Sequence, residues 1–285
     1  MHVPIRPHRV VAAVLALGLL VVATGSAAAM QPDRDPATAG AKGGHGGGGN
    51  GGGGGTGGTV PHGYDISYPQ CDAAYPKNPA FGIVGINGGR PYVAGNPCLA
   101  SQITWGGGEK AGLYVNTANP NPSQSSYWPT GKTTPRFCDP AATSSADCSY
   151  DYGWYAAADS LTKAQAAYHR LGITTSPTLT AWWVDVETSN SWQPSTANNV
   201  AMLQGEVDYL KAAGVTQLGF YSTTAQWGTI TGGTKVFSPM PVWGAGASSE
   251  SGALSLCAST TTSFTGGKLV LVQYIASGFD VDIRC

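Results

Sequence analysis

Charged side chains are scarce in this 285-residue chain. Asp, Glu, Lys and Arg make up only 11% of it, against about 25% in typical soluble domains. Fifteen basic and sixteen acidic residues leave a formal net charge of −1. Such a chain creates no field that gathers a polyanion, so we expect no nucleic-acid partner. Aromatic residues are plentiful, with eight Trp and thirteen Tyr, and they permit binding of sugars or other flat polar ligands.

Several catalytic signatures are missing as well. The sequence has no G-x-S-x-G, so a hydrolase serine of the α/β type is unsupported. It has no C-x-x-C pair, which argues against zinc or thioredoxin-like chemistry. Beyond residue 59 the only histidines are His62 and His169. We therefore expect no metal and no cofactor.

The first 29 residues have the pattern of an export signal. Arg6 and Arg9 precede an apolar stretch, residues 10–22, and small residues at 27–29 suit a cleavage site. An uncleaved membrane anchor is the alternative, but the stretch is short for a span of about 20 residues. No second long apolar run follows. We expect a secreted, monomeric protein, free or associated with the cell wall, with no membrane contact after signal cleavage.

All six cysteines lie beyond this signal, and an even number in an exported chain predicts disulfides. Six cysteines allow fifteen pairings, which the sequence leaves open. Cys138–Cys148 and Cys257–Cys285 are two candidates.

The chain divides into three parts. Residues 30–59 form a Gly-rich segment, with thirteen of the 41 glycines between Gly43 and Gly58. Such a composition cannot bury apolar surface and predicts a flexible linker. Residues 60–285 have ordinary globular composition and predict one domain.

Within this domain, short apolar runs alternate with helical stretches. Two helices are predicted, at 151–171 and from 195 or 196 to 214. Glu206 lies on the second, away from the strand ends, and substitution there is expected to be near neutral. About eight strands are predicted, at 63–67, 81–86, 112–116, 181–187, 217–221, 241–243, 268–274 and 279–283. After the fifth strand the helices fade, and we expect only loops. The pattern predicts an α/β fold, a TIM-like β/α barrel, with a doubly wound open sheet as the alternative.

Acidic residues at strands are unusual, because Asp and Glu are depleted there. Asp65, Asp185, Glu187, Asp280 and Asp282 all lie at or beside predicted strands. Asp185 and Glu187 are two apart, so they share one face, with Cα atoms roughly 6.6 Å apart. Asp185 and Glu187 end their strand, and the carboxyl ends of barrel strands carry the active site.

Carboxylates around one cavity suit glycoside hydrolysis, in which one acid donates a proton and others stabilise positive charge. A strand-end cap or a salt bridge would also explain an isolated D-x-E, and a calcium cage is a further alternative. Aromatic side chains along the strands favour a sugar ligand. The candidate substrate-binding residues are Tyr114, Tyr221, Trp243, Gln273 and Tyr274.

Together the motifs resemble the family 25 glycoside hydrolases, the lysozymes of the Chalaropsis type. They are the opening strand Gly63-Tyr64-Asp65-Ile66-Ser67, then Asp185-Val186-Glu187, then Gln273-Tyr274 leading into Val281-Asp282-Ile283-Arg284. The resemblance implies a modified barrel of five β/α units and three further strands. It also implies cleavage of the β-1,4 bond between N-acetylmuramic acid and N-acetylglucosamine in peptidoglycan.

The resemblance further implies roles for the acids. Glu187 would be the general acid, and Asp185 would assist the N-acetyl group or stabilise the oxocarbenium-like state. Asp65 and Asp282 would shape the electrostatics. The third strand departs from the family's Gly-x-Tyr-His, the last motif ends in Arg284 rather than Asn, and the loop 87–90 differs. A non-catalytic polysaccharide-binding domain and a calcium-stabilised structural domain are the alternatives.

Overall fold

The computed structural model describes residues 60–259 and 263–285. The predicted export signal and the Gly-rich linker lie outside the described residues. The described residues form a closed barrel whose eight strands neighbour each other in chain order. The strands are β1 (His62–Ile66), β2 (Gly82–Gly85), β3 (Gly112–Asn116), β4 (Ala181–Asp185), β5 (Gln217–Ser222), β6 (Val242–Ala247), β7 (Leu269–Ala276) and β8 (Phe279–Arg284).

Strand direction decides where the ends of the strands meet. Strands β1 to β7 pair in parallel, whereas β8 pairs antiparallel with both β7 and β1. Only Ser277 and Gly278 connect β7 to β8, and both have positive φ, as tight hairpin turns require. The carboxyl ends of β1–β7 and the start of β8 therefore meet at one end, called here the carboxyl mouth. The barrel is confirmed over the open sheet.

Five α-helices accompany the strands in the part of the chain described. They are α1 (Leu99–Trp105), α2 (Ala146–Arg170), α3 (Thr196–Ala212), α4 (Thr224–Thr231) and α5 (Glu250–Ala258), with 3-10 turns at Tyr68–Gln70, Gly108–Lys110 and Pro177–Leu179. The helices after β5 are short, as the weakening pattern predicts. The finer expectation of loops alone is wrong, because α4 and α5 lie there. Each begins at a hydroxyl N-cap, Thr223 or Ser249, that accepts a backbone N–H.

The two long helices, α2 and α3, pack closely through a pair of glycines. A Cβ at Gly153 would lie 2.0 Å from the Met202 carbonyl oxygen, and one at Gly205 would lie 2.0 Å from that of Tyr150. No side chain fits at either distance, so both glycines are needed for this approach. The contact fixes the outer layer that covers β3, β4 and β5.

The largest apolar core lies between the barrel and its helices, and a smaller one lies under α5. A third cluster fills the barrel itself with Ile83, Trp183, Trp243 and Leu271. The indole rings of Trp183 and Trp243 meet edge to face, with centroids 5.8 Å apart. They close the barrel interior below the carboxyl mouth, so polar side chains near that mouth rest on an apolar floor.

The six cysteines form three disulfides, Cys71–Cys98, Cys138–Cys148 and Cys257–Cys285. Both candidate pairs from the sequence are confirmed. Cys257–Cys285 links the end of β8 to α5. Within the described residues, none of the helices has the length and apolarity needed to cross a membrane.

Candidate active site

A pocket of about 110 Å³ opens at the carboxyl mouth. It forms because the last inward-facing positions of several strands carry polar side chains, while Trp183 and Trp243 fill the barrel below. The pocket is lined by Asp65, Tyr114, Asn116, Asp185, Glu187, Tyr221, Trp243, Gln273 and Asp280. A larger cavity, about 570 Å³, lies at the opposite end, called here the amino mouth. Glu109 is the one acidic side chain among its lining residues, so the predicted catalytic acids do not lie there.

Asp185 and Glu187 face this pocket because they are two residues apart on an extended chain. Val186 between them is held on both sides: its N–H donates to the Tyr221 carbonyl, and its own carbonyl accepts from the Ser222 hydroxyl at 2.7 Å. Burial raises the pKa of the Asp185 carboxyl well above its usual range, and the charge of Glu187 raises it further. Two carboxyls this close resist ionising together.

Asn116 is the hydrogen-bond donor to Asp185. Its side-chain amide donates to Asp185 Oδ2, which opposes the rise in the Asp185 pKa. Asn116 is in turn held by the buried Asn87, whose side chain donates to its carbonyl at 2.9 Å and accepts from its N–H at 3.1 Å. Neither residue was predicted as a site residue, although loop 87–90 departs from the family pattern. Asn116 ends the third strand, and that position was the available signal.

Glu187 lies beyond the end of β4 and is held by its neighbours. The Trp192 indole N–H donates to the Glu187 carbonyl at 2.7 Å. Burial raises the pKa of the Glu187 carboxyl, and the charge of Asp280 adds to the rise, while a hydrogen bond with the Gln226 side chain opposes it. Gln226 lies on α4, a helix the sequence did not predict, so its contact could not be foreseen.

Asp65 ends a short relay of hydrogen bonds across the barrel. The Tyr221 hydroxyl donates to Gln273 Oε1 at 2.8 Å, and Gln273 Nε2 donates to Asp65 Oδ2 at 2.8 Å. Burial raises the pKa of Asp65 well above its usual range, and the charges of Asp282 and Asp280 raise it further. Tyr221 and Gln273, both predicted as substrate-binding residues, are thus linked to Asp65 by hydrogen bonds.

Asp282 is close to the site, but it does not line the pocket. It is completely buried, and its Oδ1 accepts from the Trp243 indole N–H at 2.8 Å. Asp280 lies at the mouth instead, paired with Asp65 across β1 and β8. The reason is strand direction, because on antiparallel β8 the earlier residue is nearer to the carboxyl mouth. Burial raises the pKa of both carboxyls.

Two further expectations need correction. Tyr274 does not line the pocket, because it follows Gln273 and so faces the outside of the barrel. It packs there with Val272, Val281 and Ile283. Glu206 is not a neutral surface position either. It is 2% exposed, its Oε2 has no hydrogen-bond partner, and burial raises its pKa well above the usual range.

The remaining predicted residues come together as expected. Tyr114, Tyr221, Trp243 and Gln273 line the pocket with Asp65, Asp185 and Glu187. The described residues include no group of three or more His, Cys, Asp or Glu arranged to hold a metal ion. Amide and indole N–H groups donate to one oxygen each of Asp65, Asp185 and Asp282. Together, fold and site define a barrel whose carboxyl mouth holds a cluster of buried acids.

Comparison with known proteins gives one local sequence match. Residues 156–255 match the family described as lysozyme-like protein 1, and this segment, about a third of the chain, contains both Asp185 and Glu187. No curated protein sequence matches the chain.

Several solved structures are similar at low identity. The muramidase from Trichobolus zukalii is 18% identical, with 79% of this chain and 93% of that one covered and a TM-score of 0.49. The bacterial lysozyme from Streptomyces coelicolor is 16% identical, with 79% of this chain and 92% of that one covered and a TM-score of 0.46. The spore cortex lytic enzyme SleM from Clostridium perfringens is 12% identical, with 79% of this chain and 67% of that one covered and a TM-score of 0.49. At these values the function has to be argued from the site.

Proposed function

We propose that this protein is a secreted glycoside hydrolase that cleaves β-1,4 bonds of peptidoglycan or a related N-acetylated glycan. The observation that carries the proposal is the meeting of Asp65, Asp185, Glu187 and Asp280 in one pocket with raised pKa values. Structural carboxylates are ordinarily paired with cations. The described residues place no Lys, Arg or His in ion-pair contact with these four.

Glu187 is the proton donor in this proposal. Burial raises the pKa of its carboxyl, which favours the protonated form that a general acid requires. Its proton passes to the glycosidic oxygen as the bond from that oxygen to the anomeric carbon breaks, and the bonding electrons leave with the oxygen. A solvent water then adds to the anomeric carbon, and its proton returns to the Glu187 carboxylate. Gln226 and Trp192 fix the position of Glu187.

Asp185 is the ionised partner. The Asn116 amide stabilises its charged form and opposes the rise that burial and the charge of Glu187 cause in its pKa. Positive charge that develops on the sugar ring is then stabilised by the Asp185 carboxylate and by the other acids of the pocket. Asp185 would alternatively orient the N-acetyl group of the substrate, as the family resemblance implies.

Tyr114, Tyr221, Trp243 and Gln273 are the proposed sugar-binding residues of the pocket. The rings of Tyr114, Tyr221 and Trp243 supply apolar faces, and the tyrosine hydroxyls and the Gln273 amide supply polar groups. A calcium cage is less well supported, because N–H donors already occupy oxygens that a cation would need. The matching segment 156–255 supports a lysozyme-like reaction at Asp185 and Glu187.

The test is release of reducing ends from purified peptidoglycan. Glu187→Gln keeps the size of the side chain but has no acidic proton, and should lower the rate about 10²–10⁴-fold. Glu109→Gln is the matched control, since Glu109 is exposed at the amino mouth, and it should retain the rate. A full rate for Glu187→Gln would refute its role.

A non-catalytic polysaccharide-binding domain is the second candidate, because a carboxylate pocket with aromatic walls can hold a sugar without cleaving it. It predicts that the wild type sediments with insoluble peptidoglycan but releases no reducing ends. That result would replace hydrolysis with binding as the function.

A further inference from the structure

Exposed aromatic side chains are concentrated beside the carboxyl mouth. In the described ranges, the large aromatic residues classed as exposed are Tyr68, Tyr127 and Phe137, at 45%, 56% and 56%. All three lie in segments that leave the carboxyl ends of β1 or β3. The segment between β2 and α1 contacts the exposed rings of both Tyr127 and Tyr68.

Tyr127 lies flat on another tyrosine. Its ring is 4.5 Å from that of Tyr92, centroid to centroid, at an interplanar angle of 6°. The Tyr92 hydroxyl donates to the Tyr152 carbonyl at 3.1 Å. Tyr92 has φ of +61°, a left-handed conformation that costs a bulky residue of order 1–3 kcal/mol. The strained residue Tyr92 is therefore the one whose ring supports one face of the Tyr127 ring.

Tyr68 is contacted by the same segment. A Cβ at Gly89, where φ is +87°, would come within 3.1 Å of the Tyr68 ring. Gly89 and Tyr92 are three residues apart, which limits their Cα separation to about 10 Å. The two exposed tyrosines therefore flank one short stretch of chain, called here the rim.

The rim is continuous with the catalytic pocket. Asn87, two residues before Gly89, holds Asn116, the hydrogen-bond donor to Asp185. Ser67, directly before Tyr68, shares a side-chain hydrogen bond with Tyr114 of the pocket wall. The pocket itself, at about 110 Å³, is smaller than the 300–1,000 Å³ usual for ligand sites. Contacts outside it must supply much of the affinity for a large substrate.

We propose that Tyr68 and Tyr127 bind sugar rings of the glycan chain where it continues out of the pocket. The inference rests on the proposed function and deepens it. A tyrosine ring offers a flat apolar face to a sugar ring and a hydroxyl to its edge.

The test measures binding separately from cleavage. The full chain carrying Glu187→Gln is sedimented with insoluble peptidoglycan, and its dissociation constant is compared with those of double variants. Adding Tyr127→Ala or Tyr68→Ala should weaken binding about 2- to 10-fold each, whereas Tyr127→Phe should stay within 2-fold because it keeps the ring. Leu179→Ala is the control, since Leu179 is 60% exposed at the amino mouth.

Each outcome decides the matter. Three results would refute sugar binding at Tyr68 and Tyr127. They are unchanged binding in both alanine variants, an equal loss in Leu179→Ala, and no binding by the Glu187→Gln parent. Circular dichroism and melting curves show whether each variant is folded, and if one alanine variant unfolds, the other gives the answer. If the wild type cleaves no glycan yet Tyr127→Ala binds peptidoglycan more weakly, the proposed hydrolysis is refuted and sugar binding by Tyr127 is supported.

An active wild type allows a second readout. On soluble polymeric glycan, Tyr127→Ala should raise KM about 2- to 10-fold with kcat unchanged. On chitobiose, the shortest substrate with a β-1,4 bond, the rise in KM should be smaller. An equal effect on both substrates would contradict a binding role outside the pocket.

Discussion

Replacing Asn116 by Ala removes the amide that donates to Asp185 Oδ2. Asp185 is buried, and its Oδ1 has no hydrogen-bond partner, so loss of Asn116 leaves both of its oxygens without a partner. Hydrogen bonds to charged groups are worth about 1.5–3 kcal/mol. If that stabilisation serves the transition state, kcat/KM should fall roughly 10- to 100-fold.

The pH dependence of Asn116→Ala gives the sign of the effect. Burial and the charge of Glu187 raise the pKa of Asp185, and the Asn116 hydrogen bond opposes that rise. Without the bond the pKa of Asp185 rises further, so a higher pH is needed to ionise it. The acidic limb of the kcat profile should therefore move to higher pH.

The assay is initial rate against pH on purified peptidoglycan. Gln217→Ala is the matched control, because it removes an exposed amide at the amino mouth that donates to the Leu179 carbonyl. Its profile should match that of the wild type. An Asn116→Ala profile with an unmoved acidic limb and undiminished kcat/KM would show that the Asn116–Asp185 bond does not govern the reaction.

Three predictions concern stability. Asp282→Asn should raise Tm at pH 7 and lose that advantage toward about pH 4. The raised pKa of the Asp282 carboxyl stabilises the wild-type fold at low pH, and this contribution is lost as pH rises. Equal Tm gains at both pH values would contradict this reasoning. Gly153→Ala should cost about 1–3 kcal/mol and lower Tm by several degrees, since its Cβ would collide with the Met202 carbonyl; an unchanged Tm would refute the close packing. Thiol titration of the unreduced protein should find no free cysteine, and reduction should cost roughly 2–5 kcal/mol for each bridge; two reactive thiols would contradict the pairing.

The barrel could be predicted because its strands have local signals. The predicted strand 112–116 coincides with β3, and the other seven are found within a few residues of their predicted ends. Strand β6 extends four residues beyond its prediction, since Gly244 and Gly246 interrupt the apolar pattern there. The helices α1, α4 and α5 have seven to nine residues, too few for a helical period to be recognised against the background.

The acids of the site were also visible locally, but their partners were not. A D-x-E at a strand end can be found in sequence because it breaks the usual composition of strands. Asn116 contacts Asp185, which is 69 positions further along the chain. Gln226 on α4 contacts Glu187, which is 39 positions before it. No local sequence pattern encodes contacts over such separations. Glu206 was misplaced for a similar reason, because only the packing of α2 on α3 buries it.

Three buried acids in the barrel interior lower the stability of the fold, which indicates that they are present for function. Asp65, Asp185 and Asp282 are each at least 93% buried, and burying a carboxyl in an apolar environment is costly unless it is protonated or fully hydrogen-bonded. Two of the three keep an oxygen without any partner. A sequence selected for stability alone would place apolar residues here, as it does with Trp183 and Trp243 one layer below. Local conflicts of this kind are expected at functional sites. The retained cost is accounted for if these acids supply negative charge that stabilises a cationic transition state at the carboxyl mouth.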